Sequence, residues 1–290
     1  MKIVFVNLVH NQQYIFDNIE NLKRFGNNDI VVITDEQFRS SYEAVNVETV
    51  AVESLIPEYT DYIETIRHNH KRKCGFWDLC KYRFKVICKY METHNVTNIV
   101  HLENDVMLFE NLDNIKFHCT NKILLTLDNT NRCIPGLMFI PSYKIMKTCL
   151  NRWTADNDML NWGFAYNKHK DSIDIIPIIK GNIHSLNDFS HFTQRHWAQK
   201  PDYELVSKNN ELYDGIFDAA AIGQYLGGIH RNKKAKRKFI NESCTVNYSQ
   251  YEIIWKLNDK DLKCPFIIID DKEVPIYNLH VHSKDLKQFM

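Results

Sequence analysis

Two runs of aliphatic and β-branched residues near the start of the chain enclose a segment with helical periodicity. Residues 2–8 and 30–35 have the pattern of buried strands, and residues 13–25 place apolar side chains at helical spacing ahead of Gly26 as a C-cap. Residues 45–52 predict a third strand. Strands that alternate with helices are typical of a parallel sheet with helices on both faces. The start of the chain therefore predicts an α/β fold.

The same kind of pattern continues to the end of the sequence. A long helix is expected over residues 76–93, and Pro177 predicts a sheet edge or a strand end within the apolar run 173–179. The remaining expected elements are strands at 98–109, 122–127, 136–140, 265–269 and 275–282, helices at 143–151 and 217–226, and loops with short helical pieces at 182–214. Because no shift in composition marks a linker, all 290 residues are expected to form a single domain.

Composition excludes some ways of binding phosphate and nucleic acid. Lys plus Arg and Asp plus Glu both number 36, so the overall charge gives no reason to expect a nucleic-acid partner. The chain has only 9 glycines and contains neither GxGxxG nor GxxxxGK[ST]. Any bound phosphate must therefore be held by a metal ion and basic side chains rather than by a glycine-rich loop.

The chain has no feature that predicts export or a membrane span. The apolar run within residues 1–10 is too short to cross a bilayer and lacks a small-residue cleavage site. The 8 cysteines are scattered and none has CxxC spacing, which disfavours a zinc site and a disulfide framework. A cytoplasmic location with reduced thiols is expected, in the host cytoplasm if the protein is viral.

Two carboxylates follow the apolar run that begins at residue 98. Glu103 and Asp105 are two residues apart, and side chains at that spacing on a strand point to the same side. A carboxylate pair at the carboxyl end of a strand in an α/β sheet is a suitable anchor for Mn²⁺ or Mg²⁺. The alternative is that both residues simply end the strand and enter a turn.

A second candidate for metal binding lies near the end of the sequence. His280 and His282 again have the two-residue spacing of a strand face, and Lys284 follows them. Neutral imidazole is a competent ligand for Mn²⁺, and a lysine is a natural phosphate contact. Each histidine alone is more simply explained as a polar residue at a sheet end. Together with Glu103-Asn104-Asp105, they predict a metal site.

These segments resemble glycosyltransferases of the A-type (GT-A) fold, which use nucleotide-sugar donors and carry an acidic x-D motif after a central strand. Glu103-Asn104-Asp105 stands at that motif, and residues 280–284 stand where the family has a C-terminal histidine and a phosphate-binding lysine. The likeness is greatest to small single-domain members from large DNA viruses and bacteria, through residues 101–105 and 217–228. Glutamate in the first acidic position is a departure that makes Asp105 the more secure ligand.

The resemblance implies a fold and a division of labour along the chain. It implies one Rossmann-type mixed sheet flanked by helices, with a nucleotide-binding half at about residues 1–110 and an acceptor-binding half at about 111–290. Asp105, His280 and His282 would bind the metal. The donor would contact residues at the strand ends and around the metal, namely Asn7, Val9, His10, Asn11, Thr34, Asp35, Arg83, Glu103, Asn104 and Lys284. For Arg83 the alternative is a solvated helix arginine.

Two further carboxylates are candidates for catalysis on the acceptor side. Asp218 lies on the predicted helix 217–226, with Asp214 one turn earlier on the same face. Either could orient the acceptor hydroxyl or act as a general base. The alternative for Asp218 is a helix N-cap ahead of three alanines. Asp128, after the strand 122–127, is a weaker candidate for a sugar contact.

Two other features have plain structural explanations. The basic run 231–238 could cover a diphosphate, but a solvated loop is the simpler reading. Trp153, Trp162 and Trp197 could form a platform for stacking sugars, although such residues more often pack in the interior.

The function expected from these features is metal-dependent transfer of a sugar to an acceptor hydroxyl on a glycan, a protein or a small molecule. A UDP-sugar is the expected donor, with Mn²⁺ or Mg²⁺ as cofactor. Two alternatives stay open at this point. One is a metal-dependent nucleotidyltransferase or phosphohydrolase, which would normally need a second acidic motif for a second metal. The other is a carbohydrate-binding module without catalytic activity.

Overall fold

A computed structural model describes residues 1–69, 75–117, 121–129, 131–151, 153–181, 203–229, 238–240 and 244–290. Its strands are β1 (Lys2–Asn7), β2 (Ile30–Thr34), β3 (Glu48–Ala51), β4 (Ile99–Leu102), β5 (Val106–Leu108), β6 (Ile123–Asn129), β7 (Arg132–Ile140), β8 (Ile173–Ile175), β9 (Ile253–Leu257), β10 (Lys263–Ile269), β11 (Lys272–Pro275) and β12 (Asn278–His280). Its helices are α1 (Tyr14–Arg24), α2 (Arg39–Glu43), α3 (Val52–Leu55), α4 (Tyr59–Asn69), α5 (Phe76–His94), α6 (Tyr143–Leu150), α7 (Asp158–Lys168), α8 (Tyr203–Val206) and α9 (Ile222–Gly227).

Seven of these strands form the main sheet, in the order β3-β2-β1-β4-β7-β6-β8. The first four strands in this order are parallel to one another. β7 runs antiparallel to both of its neighbours, whereas β6 and β8 pair in parallel. The sheet is therefore mixed and flanked by helices, which confirms the predicted α/β fold class. β8 is an edge strand and ends before Pro177, as the proline predicted.

Alternating side chains of the central strands fill two cores, one on each face of the sheet. In β1, Val4 and Val6 pack into the core beneath α3 to α7, while Ile3 and Phe5 pack into the core beneath α1. A strand buried on both faces has to be apolar almost throughout. This requirement explains why β1 and β2 are recognisable as continuous aliphatic runs.

The direction of the strand order reverses at β1. Its neighbour β2 lies on one side and β4 on the other, with Ile3 opposite Ile30 in one pairing and opposite Val100 in the other. Open α/β sheets bind ligands in the crevice outside the carboxyl ends of two such strands. The topology therefore predicts a ligand site among the residues that follow β1 and β4.

A two-stranded ribbon brings residues from near the end of the sequence to this crevice. β5 pairs antiparallel with β12, so that Val106 lies opposite His280. Helix α1 holds β5 from the other side, because Asn18 Nδ2 donates to Val106 O at 2.9 Å and Asn21 Nδ2 donates to Leu108 O at 2.8 Å. These pairings bring residue 280 next to the turn after β4.

Several predicted elements differ from the structure. The predicted strand 98–109 is split into β4 and β5 by a turn, and the predicted strand 275–282 is only β12, with β11 ending at Pro275. The predicted helix 217–226 is wrong at its start, because α9 begins at Ile222. The long helix 76–93 and the helix 143–151 are confirmed as α5 and α6.

Some expectations fall partly or wholly on parts of the chain that are not described. These are the loops at 182–202, Trp197 and residues 231–237 of the basic run. Within the described ranges, no helix combines the length and apolar character needed to cross a bilayer. The thiols of Cys80, Cys88, Cys133, Cys149 and Cys264 are free.

Candidate active site

The Glu103-Asn104-Asp105 segment forms a tight turn between β4 and β5. Val106 N donates to Glu103 O at 2.9 Å, so the two carboxylates do not share a strand face as predicted. The turn nevertheless brings both carboxylates to one imidazole. His280 Nε2 lies 3.0 Å from Glu103 Oε2 and 3.5 Å from Asp105 Oδ1. The convergence was predicted, but its physical cause is the turn.

The two histidines also meet through a turn. His280 ends β12, and His282 N donates to His280 O at 3.1 Å, so the chain folds back immediately after the strand. The two rings lie with their centroids 4.4 Å apart at an angle of 72°. A strand would have kept them on one face at a greater separation. The turn places them against each other instead.

Among the described residues, Asp105, His280 and His282 form one group able to hold a metal ion. Each offers one ligand atom, and these atoms lie within 4.8 Å of one another. Two imidazole nitrogens and one carboxylate oxygen are a suitable donor set for Mn²⁺ and related divalent ions. His280 Nδ1 is buried and has no hydrogen-bond partner in the described part of the chain. The donor set therefore fits the metal site implied by the sequence.

Positive side chains already surround the two carboxylates. Lys284 Nζ pairs with Asp105 Oδ2, and Arg83 pairs with Glu103. Burial lowers the pKa of His280, but Asp105 and Glu103 outweigh burial and raise this pKa to about 10. Burial likewise raises the pKa of Asp105, but Lys284 and His280 outweigh it and hold this pKa well below its usual range. A divalent cation bound here would have to displace the proton of His280 and to compete with Lys284 for Asp105.

Arg83 is an interior residue. Its side chain is 12% exposed, which excludes the alternative of a solvated helix arginine. It joins Glu103 to Asp158, whose Oδ2 lies 2.6 Å from the guanidinium, while Arg83 Nε is buried without a hydrogen-bond partner among the described residues. Asp158 is held at the start of α7, where Asn157 is the N-cap. Arg83 therefore fixes Glu103 beside the histidines.

The ends of β1, β2 and β4 bring together most of the residues expected to contact a donor. Asn104 Nδ2 donates to Asn7 Oδ1 at 3.0 Å and to Gln12 Oε1 at 2.8 Å. Thr34 Oγ1 donates to the backbone oxygen of Asn7 at 2.8 Å. The side chains after these strands thus form one connected network beside the candidate metal ligands.

Asp35 shapes the loop after β1. Val9 N donates to Asp35 Oδ2 at 2.7 Å, and Tyr59 OH donates to Asp35 Oδ1 at 3.0 Å. Val9 has φ of 71°, which is strained for a β-branched residue. His10 and Asn11 are exposed at the outer side of this loop. Asp35 therefore holds the loop in place through Val9, and the loop exposes His10 and Asn11 to solvent.

The structure gives Asp218 a supporting position. It is 3% exposed, and its Oδ1 accepts hydrogen bonds from Ala221 N and Ile222 N at 2.7 and 2.8 Å. Its Oδ2 accepts from Gly223 N and His280 N, both at 2.8 Å. Four backbone donors occupy both carboxylate oxygens, so Asp218 ties the start of α9 to the strand that ends at His280. The capping alternative describes Asp218 better than a place within the helix.

Asp214 is not a helical neighbour of Asp218, because residues 214–221 precede α9. It is exposed and lies beside Tyr277, just before β12, whereas the histidines lie at and after the end of that strand. Asp128 is fully buried and pairs with Arg132 at 2.7 Å. Burial raises the pKa of Asp128 to about 6. Neither carboxylate joins the cluster around Asp105.

The two described tryptophans of the proposed sugar platform pack against each other, with Trp162 in the interior and Trp153 half-buried. Trp162 is fully buried, and Trp153 meets it at 83° with the ring centroids 5.3 Å apart. Phe84 packs against both rings. The packing alternative is therefore confirmed for Trp153 and Trp162.

Sequence reasoning missed two residues that hold the site. Asp158 lies 75 residues from its partner Arg83, and Gln224 lies 58 residues from His282. Asp158 carries a detectable signal, since Asn157-Asp158 begins a helix in the usual way. The sequence does not show which side chains these two residues would meet, because both contacts are made across the fold.

Gln224 is expected to orient His282. Its Nε2 lies 3.0 Å from His282 Nδ1. If the amide is turned so that Oε1 accepts from Nδ1–H, then Nε2 of the ring keeps its lone pair for a metal. We expect Gln224→Leu to weaken Mn²⁺ binding about 10-fold, while Gln224→Glu, which can only accept, retains it. Titration calorimetry of both variants checks this expectation, and equal losses in the two would contradict it.

No protein-family model and no curated protein matches this sequence. Among solved structures, mouse xyloside xylosyltransferase 1 is 10% identical with a TM-score of 0.39, over 61% of this chain and 84% of that chain. A cytidylyltransferase from Leptospira borgpetersenii is 12% identical with a TM-score of 0.37, over 61% of this chain and 75% of that chain. The galactosyltransferase LgtC, in complex with donor and acceptor sugar analogs, is 14% identical with a TM-score of 0.37, over 60% of this chain and 66% of that chain. Similarity at this level does not establish a shared activity, so any proposal about function rests on the residues of the site.

Proposed function

We propose that this chain is a metal-dependent glycosyltransferase that moves a sugar from a nucleoside diphosphate to an acceptor hydroxyl, with a UDP-sugar as the expected donor. The observation that carries the proposal is the convergence of Asp105, His280 and His282 at the crevice beyond β1 and β4. Crevices of this kind are the usual ligand sites of α/β sheets.

Asp105, His280 and His282 would hold Mn²⁺ or Mg²⁺ in this proposal. Such a cation, when bound, stabilises the negative charge on a departing diphosphate. Lys284 lies next to Asp105 and would add a second positive charge on the phosphate side. Arg83 would act indirectly, by keeping Glu103 fixed against His280. Because the donor is already activated, positioning and charge stabilisation supply most of what the reaction needs.

The loop after β1 and the network at the ends of β2 and β4 would bind the nucleotide. Asn7, Asn104 and Thr34 are already joined by hydrogen bonds there. Residues 9–11, of which His10 and Asn11 are exposed, would meet the nucleoside, and Asp35 would support the loop that carries them. In this arrangement the nucleoside lies on the β1–β2 side and the diphosphate points toward His280.

The acceptor side is assigned differently from the sequence-based expectation. Asp218 would position His280 rather than act as a base, because its two oxygens already accept four backbone hydrogen bonds. Asp214 is exposed and keeps its proposed role as a carboxylate that could meet an acceptor.

The two alternatives make different demands on the site. A two-metal nucleotidyltransferase or phosphohydrolase needs ligands for a second ion, and the described residues provide one group of three metal ligands. A carbohydrate-binding module without activity has no use for buried carboxylates, histidines and a lysine in contact. Both features favour the transferase.

Calorimetry with UDP in the presence and absence of Mn²⁺ tests the proposal on the unmodified protein. We expect Mn²⁺ to tighten UDP binding at least about 10-fold. This corresponds to a coupling free energy of about 1.4 kcal/mol between the two ligands, near the lower end of the usual range. UDP binding that ignores Mn²⁺, or no UDP binding, would contradict the proposal. Hydrolysis of UDP- and GDP-sugars then identifies the donor. Release of pyrophosphate from UTP or CTP with a sugar phosphate would favour the nucleotidyltransferase instead.

A further inference from the structure

A groove on the outer side of α5 and α6 is separate from the candidate active site. Its walls are parts of these two helices and residues 55–58, and its volume is about 1160 Å³. None of the residues that line it belongs to the cluster around Asp105. Arg83 on α5 points to Glu103, whereas Lys81 and Lys85, two positions to either side, line the groove. Residues two apart on a helix point in different directions, so the two sites use different sides of α5.

Lysines dominate the charge of this groove. Its walls carry five lysines and two glutamates, an excess of three positive charges in a chain whose formal net charge is zero. The lysines are Lys81, Lys85, Lys89, Lys144 and Lys147. Lys81 also pairs with Asp78, at 3.2 Å and outside the walls, but the walls themselves keep a positive excess that favours an anionic ligand.

The glutamates in the groove do not neutralise these lysines firmly. Glu58 lies 3.6 Å from Lys85, and Glu92 lies 3.4 Å from both Lys89 and Lys147. All three lysine side chains in these pairs are at least 45% exposed. Exposed ion pairs of this kind are weak and exchange readily with a ligand that carries carboxylates.

The floor of the groove is apolar and fixed. Leu150 and Trp153 are half-buried there, and Leu55 and Ile56 lie beneath them, almost fully buried. Trp153 Nε1 donates to Cys149 O at 3.0 Å, which holds the ring in place. A strip of apolar surface between rows of lysines suits a chain that has both apolar backbone area and regularly placed negative charges.

The spacing of the lysines matches the spacing of alternate side chains in an extended peptide. Lys81, Lys85 and Lys89 are four residues apart on α5, which corresponds to about 6 Å along the axis for each step. Alternate side chains of an extended peptide are about 6.6 Å apart and point to the same side. We propose that the groove binds an extended acidic peptide segment whose carboxylates occur at every second residue. The proposal does not depend on the glycosyltransferase activity.

Fluorescence anisotropy with a labelled peptide that alternates Glu and Ser tests this proposal. A peptide of the same composition with all its Glu in one block, and an alternating Gln–Ser peptide, are the ligand controls. We expect the alternating acidic peptide to bind most tightly, the neutral peptide not to bind, and added salt to weaken binding. Lys85→Glu with Lys89→Glu should weaken the alternating peptide about 10-fold.

The matched control is Lys260→Glu with Lys272→Glu, which reverses two exposed lysines outside the groove. This variant should retain the affinity of the unmodified protein. Equal losses in the two double variants would show non-specific attraction and overturn the proposal. Equal affinity for the alternating and block peptides would overturn it as well. Chondroitin sulfate that binds more tightly than the peptide, and loses affinity in the Lys85→Glu with Lys89→Glu variant, would overturn the proposal in favour of an anionic glycan.

Discussion

Replacing Asp105 by asparagine is expected to remove the metal dependence of UDP binding. Asp105 provides the carboxylate oxygen in the group with His280 and His282, and an amide oxygen carries no charge to balance a divalent cation. Loss of a residue that merely supports a metal ligand costs 10- to 100-fold in affinity, so we expect at least about 100-fold weaker Mn²⁺ binding here. Titration calorimetry with Mn²⁺ alone and then with UDP measures both effects.

Glu103→Gln is the control for Asp105→Asn. It also removes a carboxylate that faces His280, but Glu103 is held by Arg83 and lies outside the three-residue group. We expect a smaller loss of Mn²⁺ affinity, about 10-fold, from the looser position of His280. An Asp105→Asn protein that binds Mn²⁺ normally, or a Glu103→Gln protein that is the more impaired, would show that the metal site is wrongly assigned.

Replacing Gly223 by alanine is expected to damage both the fold and the site. A Cβ atom at residue 223 would lie 2.3 Å from His280 O and 2.9 Å from His280 N. Alanine is favoured over glycine within a helix by about 1 kcal/mol, but these neighbours are backbone atoms that cannot rotate away. We therefore expect the overpacking cost of about 1–3 kcal/mol or more to prevail, with about 10-fold weaker Mn²⁺ binding as His280 is displaced.

Gly227→Ala, in the same helix, is the matched control. A Cβ atom there would lie 3.2 Å from the ring of Phe289 and 3.3 Å from Ser283 Oγ, which are side-chain atoms. The change in the free energy of unfolding should stay below about 1 kcal/mol, with unchanged Mn²⁺ affinity. Urea unfolding and calorimetry compare the two variants, and similar behaviour in both would mean that the contact between α9 and His280 does not support the site.

The parts of the fold that could be predicted are those determined by local pattern. β1 is buried on both faces and α5 has a full apolar stripe, so periodicity and composition reveal them. The late start of α9 is different. Asp218-Ala219-Ala220-Ala221 has helix-like composition, but Ala220 has φ of 57° and the Asp218 carboxylate satisfies the backbone N–H groups of residues 221–223. A local side-chain contact has replaced the first helical turn.

The residues of the site were easier to predict than their arrangement. Residue type, spacing and the family resemblance together predict Asp105, His280 and His282 as metal ligands, and the structure brings their ligand atoms within 4.8 Å of one another. The strand geometry used to argue for their convergence was wrong, because each pair lies at a turn. The turns depend on the pairing of β5 with β12, and sequence alone does not specify contacts between residues so far apart.

The β5–β12 ribbon also sets when the site can exist during synthesis. Asp105 and Lys284 are 179 positions apart, and both histidines belong to the later of the two segments. A nascent chain can complete β1, β2 and β4 long before residue 280 is made, since folding proceeds from the amino terminus as the chain emerges. It would then carry the Asp105 carboxylate without its histidine partners. The group of metal ligands therefore cannot assemble until translation has passed residue 282.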